Sequence, residues 1–341
     1  MIVDDSLVVR SALRRAIEEE PDLEILTTAS TGEQALDQLR RVAVDVILLD
    51  LEMPGMGGLE ALPLILDAAA GAQVLVVSSL TSIGAEATLA ALSMGAADTL
   101  LKPQTGGFTP EYRRELVTRI RALGAARHDP LPTPTQAPVP PRPRLAEAAR
   151  KRPKLVAIGA STGGIHALCL LLGALPRQFS LPIAITQHLP ASFLPVFARQ
   201  LELASGRPAH VASSGSVLKQ GEILIAPGDG HLMFEERGER IVARIADFPT
   251  PSGCRPSVDP MFESLARALG GQALGVVLSG MGRDGAQGAA QLVDAGGTVF
   301  AQDRETSSVW GMPRAVATSG IASLVAPPEQ LAARIAMVPA A

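Results

Sequence analysis

Between Pro130 and Pro143 half of the residues are proline, namely Pro130, Pro132, Pro134, Pro138, Pro140, Pro141 and Pro143, and no apolar periodicity survives. Proline carries no amide donor and holds one backbone dihedral fixed, so this stretch reads as an extended, semi-rigid spacer rather than as helix or ladder. The chain on either side must therefore fold as separate bodies. Its 341 residues suit two domains, each long enough to bury a sizeable core. We place the first over residues 1–126, a linker over 127–153 and the second over 154–341. The linker ends in a basic run, Arg142 to Lys154, with room for a short helix around Leu145 to Arg150. Its charge reads as a solvated face, with partner docking as the alternative.

Several classes are disfavoured. Apolar residues make up 47% of the chain, yet no uninterrupted apolar run approaches the roughly 18 residues of a membrane span, the richest stretch being Ala167 to Leu175. No basic segment followed by an apolar one opens the sequence, and Cys169 and Cys254 make no metal or redox spacing. They read as buried thiols, which makes a reducing cytoplasm the simplest location. A net charge of −4 with few aromatic residues offers no basic, aromatic-studded surface for nucleic acid.

Both halves alternate short apolar runs with helical patterns, the mark of βα units around a parallel sheet. In the first half the strand-like runs are Leu23 to Thr28, Val44 to Asp50, Gln73 to Ser78 and Thr99 to Lys102. The helical ones are Gly32 to Arg41, Gly58 to Asp67, Gly84 to Met94 and Pro110 to Ala126. In the second half the strands are Leu155 to Ile158, Leu181 to Gln187, Leu274 to Ser279 and Thr298 to Gln302. The helices fall over Ile165 to Leu175, Ser192 to Leu203, Pro260 to Leu269, Ala286 to Ala295 and Pro328 to Met337. A hairpin-like region from Ile223 to Ile245, turning at Glu236 to Glu239, suggests an antiparallel edge on a mainly parallel sheet. The fold class is α/β, in two doubly wound domains.

In a doubly wound sheet the carboxyl ends of the strands meet at one crevice. In the first domain those ends carry Asp4 and Asp5, Asp50, Ser78 and Lys102. Clustered carboxylates repel one another unless a divalent cation joins them, and an oxygen-rich site with open positions suits magnesium. A lysine and a hydroxyl opposite would hold a phosphoryl group. A single Asp at a strand end is unremarkable, but five complementary residues over four strand ends are not. Asp4-Asp5-Ser6, Asp50-Leu51-Glu52-Met53-Pro54 and Lys102-Pro103 resemble the signature of two-component response-regulator receiver domains, which are flavodoxin-like. The resemblance implies that Asp50 accepts a phosphoryl group from a histidine kinase. It implies also that Asp4, Asp5 and Asp50 hold Mg²⁺, and that Ser78 and Lys102 contact the phosphoryl oxygens. Two features depart from the pattern. Only Met1-Ile2-Val3 precede the acidic pair, short of a usual strand, as a truncated or misassigned start would leave it; and Thr99 stands where the family usually carries an aromatic switch residue.

In the second domain Leu155 to Ile158 runs into Gly159-Ala160-Ser161-Thr162-Gly163-Gly164 and then a helical pattern, a strand, a glycine turn and a helix start. A serine there exposes its hydroxyl beside unpaired helix amides, as a nucleophile requires; a phosphate-binding turn is the competing reading of the hexapeptide. It fits dinucleotide and P-loop fingerprints badly, since Ser161 replaces a glycine and no lysine follows Gly164. A nucleophilic serine needs a base, and the base an acid. Of the five histidines, only His188 follows directly on an apolar strand. Asp284 lies in the loop after Val276 to Ser279, where it reads either as that acid or as the N-cap of the helix from Ala286.

The order Ser, His, Asp disfavours an ordinary α/β-hydrolase, which runs Ser, Asp, His. The order and its loops resemble the chemotaxis protein-glutamate methylesterases. The matching stretches are Ile158 to Gly164, Gln187 to Pro190, Ala226 to Gly228, Arg255 to Asp259, Ser279 to Gly285 and Gln302 to Pro313. The resemblance implies hydrolysis of glutamyl methyl esters on the cytoplasmic helices of methyl-accepting chemoreceptors, with Ser161 as nucleophile, His188 as base and Asp284 as its orienting acid, and no cofactor for that step. The backbone amides of Thr162 and Met281 are the candidate oxyanion donors. Two readings stand beside it: glutamine deamidation at the same sites through the same acyl-serine, and a docking module with a vestigial triad. The tethered receiver is expected to cover the catalytic crevice until Asp50 is phosphorylated.

Overall fold

The computed structural model describes residues 1–78, 82–102, 108–128, 152–238 and 240–338. The proline run, the short helix proposed near Leu145, Pro103 and Glu239 of the hairpin turn lie outside the described residues. The chain divides into two compact units, Met1–Leu131 and Pro132–Ala341. Among the described residues no helix is long and apolar enough to cross a membrane.

The first unit runs β1 (Ile2–Val3), α1 (Leu7–Glu18), β2 (Thr28–Ala29), α2 (Gly32–Leu39), β3 (Val46–Leu49), α3 (Gly58–Ala68), β4 (Gln73–Ser78), α4 (Ser82–Met94), β5 (Asp98–Leu101) and α5 (Pro110–His128). Its five strands lie parallel in the order β2-β1-β3-β4-β5. The all-apolar β3 sits inside the sheet and every one of its residues is buried, as a strand covered on both faces requires. Side-chain caps start two of the helices, Ser6 accepting from the Val9 amide and Thr31 from the Gln34 amide. One expectation fails: the apolar run from Leu23 is not a strand until Thr28. The reason lies in its neighbour. β1 pairs only through Ile2 and Val3, with Thr28 and Ala29, and the run before Thr28 reaches β1 through a single bond, from the Ile2 amide to Thr27 O at 3.2 Å.

The second unit contains β6 (Leu155–Ala160), α6 (Gly164–Ala174), β7 (Ile183–Gln187), α7 (Leu194–Ser205), β8 (Ala209–Val211), β9 (Ile223–Ile225), β10 (His231–Arg237), β11 (Arg240–Ala246), α8 (Val258–Leu269), β12 (Ala273–Val277), α9 (Ala286–Asp294), β13 (Thr298–Gln302), α10 (Met312–Thr318), β14 (Leu324–Ala326) and α11 (Pro328–Ala336). Seven strands form one parallel sheet, ordered β14-β13-β12-β6-β7-β9-β8. The antiparallel pair is present, but β10 and β11 make a two-stranded sheet of their own rather than an edge of the large one. The hairpin turns its apolar face to α8 instead: Ser264 Oγ of α8 accepts the Phe234 amide at 3.0 Å, and Phe234, Leu232, Phe262 and Leu265 share the core. The segment α10–β14 carries no clear periodicity in the sequence and is added by the structure.

Strand order positions the site. The chain enters the sheet at β6, goes to β7 on one side and returns later to β12 on the other. The carboxyl end of β6 is thus the topological switch point, where doubly wound sheets open a crevice. Gly159 near that end lets α8 come close: a Cβ there would collide with the side chain of Val258, the first residue of α8.

Candidate active site and phosphoacceptor site

Ser161 follows β6, His188 follows β7, and Asp284 lies in the loop beyond β12, so three adjacent central strands deliver the three side chains. Backbone bonds hold their loops together: the Ser161 amide donates to Ser279 O at 2.9 Å and the His188 amide to Ala160 O at 3.1 Å. His188 Nδ1 lies 3.0 Å from Ser161 Oγ, and His188 Nε2 lies 2.8 Å from Asp284 Oδ2. A carboxylate only accepts, so Nε2 carries the proton toward Asp284 and Nδ1 presents its lone pair to the serine hydroxyl.

Asp284 is 2% exposed, and its charge is held by two further donors. Ser257 Oγ donates to Oδ1 at 2.6 Å and the Val258 amide to Oδ2 at 2.7 Å. Ser257 is the N-cap of α8 but does not cap it with its own side chain. Asp284 takes that place, at the positive end of the α8 dipole. The N-cap alternative read from the sequence therefore resolves differently: Gly285 caps α9, and Asp284 caps the neighbouring helix. Burial alone would raise its pKa, but His188 with the Ser257 and Val258 donors brings it down to about 2. For His188 burial pulls downward; the Asp284 bond and the nearby Cys254 outweigh it and raise the pKa to about 9.

A chain of polar contacts supports Asp284. His231 is buried, donates through Nε2 to Phe248 O at 2.8 Å, and with Nδ1 accepts the Ser257 amide at 3.0 Å. Gln187 Nε2 donates to Ser161 O at 2.9 Å. Ser279 Oγ donates to Thr162 O at 2.7 Å and receives the Val309 amide at 3.1 Å, tying the loop that carries Thr162 to the loop that carries Met281. The sequence does not mark Ser257, His231 or Ser279 as working residues. The Arg255 to Asp259 stretch was the one signal for Ser257.

The profile of the CheB methylesterase matches residues 156–335, more than half of the chain, and the response-regulator receiver profile matches residues 1–107. The chain belongs to the CheB methylesterase family. Over 98% of its length it is 44% identical to the protein-glutamate methylesterase/protein-glutamine glutaminase 2 of Caulobacter vibrioides, covering 97% of that protein. It is 40% identical over 98% of its length to the corresponding protein 1 of Rhodospirillum rubrum, covering 93% of it. The crystal structure of the Thermotoga maritima CheB methylesterase catalytic domain superimposes with a TM-score of 0.54 and 33% identity, spanning 55% of this chain and all of that one. The chain is thus a CheB-type methylesterase preceded by a receiver domain.

In the receiver, Asp50 follows β3 and is buried, and Lys102 follows β5, its Nζ reaching Asp50 Oδ2 at 2.6 Å and Asp4 Oδ2 at 3.2 Å. The Glu52 amide donates to Asp50 Oδ1 at 3.1 Å and the Ser6 amide to Asp4 Oδ1 at 2.9 Å. Carboxylate oxygens of Asp4, Asp5 and Asp50 lie within 4.8 Å of one another. Asp4 Oδ2 is buried with no hydrogen bond of good geometry: the Lys102 ammonium pairs with it at 3.2 Å, and the Asp5 and Asp50 carboxylates crowd it. Burial raises the Asp50 pKa despite Lys102. An under-satisfied oxygen and a carboxylate held toward protonation are what a hard cation relieves, so these residues fit Mg²⁺. Ser78 lies across from Thr99, their hydroxyls 3.4 Å apart, and Ser78 O accepts the Lys102 amide at 2.7 Å. Both cysteines prove half-buried rather than buried; Cys254 lies beside His188 and Asp284.

Proposed function

We propose that the second unit hydrolyses glutamyl γ-methyl esters on methyl-accepting chemoreceptors through Ser161, His188 and Asp284. The observation that carries this reading is the unbroken line Ser161 Oγ, His188 Nδ1, His188 Nε2, Asp284 Oδ2, at 3.0 and 2.8 Å, in a chain of this family. Ser161 Oγ attacks the ester carbonyl as Nδ1 takes its proton, and the C–O bond to methoxide breaks as Nδ1–H protonates the departing methanol. Water enters along the same path, gives its proton to Nδ1, and releases glutamate with Ser161 restored. Throughout, Nε2–H points at Asp284, whose charge stabilises the imidazolium. The amides of Thr162 and Met281 receive the oxyanion, in loops that Ser279 ties together; one such donor contributes about 2.7–4 kcal/mol in comparable enzymes.

The same acyl-serine forms if ammonia leaves in place of methanol, and the relatives' names pair the two reactions. Glutamine deamidation is accordingly the second activity. Residues 1–126 act as the receiver, 127–153 as the tether and 154–341 as the catalytic domain. Asp50 receives a phosphoryl group from the chemotaxis histidine kinase. Asp4, Asp5 and Asp50 would hold Mg²⁺, which neutralises phosphoryl charge, while Ser78 and Lys102 meet the phosphoryl oxygens. The substrate places the enzyme on the cytoplasmic side of the membrane.

The test is methanol release from methylated receptor by wild type and Ser161→Ala in parallel. The variant is expected to fold and to release none. Methanol release by Ser161→Ala at the wild-type rate would remove Ser161 as nucleophile.

A further inference from the structure

Cys254 has no part in the hydrolysis just described, yet its thiol is placed among the groups that carry it out. The donor atoms of His188, Cys254 and Asp284 lie within 4.8 Å of one another. Thiolate, imidazole and carboxylate make a mixed S, N, O donor set, which suits zinc above the hard cations. Zinc bonds of about 2.0–2.3 Å bring tetrahedral donors roughly 3.3–3.8 Å apart, so a donor at 4.8 Å must close by about 1 Å and the His188 Nε2–Asp284 Oδ2 pair, at 2.8 Å, must open by about 0.5 Å. The loop can supply it: Cys254 follows Gly253, and besides its interaction with His188, Sγ makes a weak contact to Ser252 O at 3.8 Å. The carboxylate is already oriented, since Ser257 Oγ holds Asp284 Oδ1 and the Val258 amide occupies one lone pair of Oδ2, leaving the other for a metal. Donors of that kind fix a ligand without competing for the metal. His188 and Cys254 are partly exposed to the crevice, which gives an entry path, and water supplies the fourth position.

We propose that His188, Cys254 and Asp284 form an inhibitory site for Zn²⁺ that switches the esterase off. The switch lies in the imidazole tautomer. In the working form Nε2 carries the proton and Nδ1 offers its lone pair to Ser161 Oγ. Zinc takes the lone pair of Nε2 and the bond to Asp284 Oδ2. The proton leaving Nε2 is balanced by one bound at Nδ1, and the Cys254 thiol proton goes to solvent. Nδ1 then has a hydrogen where it had a lone pair, and it can no longer accept from Ser161. The serine stays in place but has no base. The inference rests on His188 as the base of the reaction proposed above.

The full-length protein is assayed for methanol release from methylated receptor in chelator-buffered Zn²⁺, as wild type, Cys254→Ser and Cys254→Ala. Inhibition is read relative to each protein's own zinc-free rate, because Cys254 also bears on the protonation of His188. Outer partners of a metal ligand are worth 10–100-fold in affinity, so loss of a direct ligand should raise the half-inhibiting free zinc by about 100-fold. Mg²⁺ should not replace zinc, since it takes oxygen ligands. Zinc stoichiometry, measured by chelator competition, is expected to fall by one equivalent in Cys254→Ser. The receiver carboxylates are common to both proteins and cancel. Equal inhibition of wild type and variants overturns the proposal, as does a wild type that binds the extra zinc at full activity. Stoichiometry needs no turnover, so a protein that binds zinc through Cys254 but never releases methanol would refute the esterase reading instead.

Discussion

Replacing Asp284 by asparagine separates the charge of the acid from its geometry. The Val258 amide donates to Oδ2 at 2.7 Å from the fixed start of α8, so an acceptor is required at that point. The side-chain oxygen of the introduced asparagine should occupy it, still receiving Nε2–H of His188. The nitrogen then faces Ser257 Oγ, which rotates from donor to acceptor. Orientation and tautomer survive; the charge does not. A hydrogen bond to a charged group contributes about 1.5–3 kcal/mol, which converts to roughly a 10- to 150-fold loss in rate. That loss belongs to the alkaline plateau, where His188 is neutral in the resting enzyme. Wild-type activity should rise with pH toward about 9, where burial lowers the His188 pKa but Asp284 and Cys254 outweigh it. Without the Asp284 charge the limb moves down toward the ordinary value of 6.5. Near neutrality the two curves therefore approach each other, because the charge that stabilises the imidazolium in the transition state also holds the resting histidine protonated. Methanol release across the pH range, with thermal unfolding as a check on the fold, tests both parts. An unmoved limb would refute the electrostatic reasoning, and a plateau loss near 10⁴-fold would mean the wrong tautomer, against the argument from Val258.

Two further outcomes are expected. Gly163 has φ of +75°, and a Cβ there would sit 2.5 Å from Ser308 Cβ and 2.6 Å from Ser279 Oγ; Gly163→Ala should destabilise the protein by about 1–3 kcal/mol from the backbone alone and misplace Ser161, as thermal melts and methanol release will read. Asp50→Asn should leave basal hydrolysis intact and remove any acceleration by a small phosphodonor, and an accelerated variant would exclude Asp50 as the phosphoacceptor.

The two sites were legible in the sequence to different depths. A run such as Val46 to Leu49 or Leu155 to Ile158 announces a buried strand, and the residue after it is at the crevice whatever the strand order. That is why Asp50, Lys102, Ser161 and His188 are legible from the sequence as crevice residues. Asp284 lies well beyond the end of β12 at Val277, far enough for a helix cap and a catalytic acid to look alike. The antiparallel pair was legible as a pair, but its partner was not, since alternation along β10 says which face is apolar and nothing about whether a sheet or α8 covers it. The run before Thr28 has strand composition and no strand because β1 offers only Ile2 and Val3 to pair with.

The amino-acid sequence alone determined that the chain is two α/β bodies separated by prolines, and which side chains stand at their strand ends. Those are local properties of period, composition and spacing. The tertiary structure decided which nitrogen of His188 faces Ser161, that Asp284 rests on the start of α8 through Ser257 and Val258, and that Cys254 lies beside them. Each of these depends on the lateral order β12-β6-β7 and on α8 approaching over Gly159. Such placements join residues far apart along the chain, and no local pattern encodes them because the free energy that fixes them is that of packing.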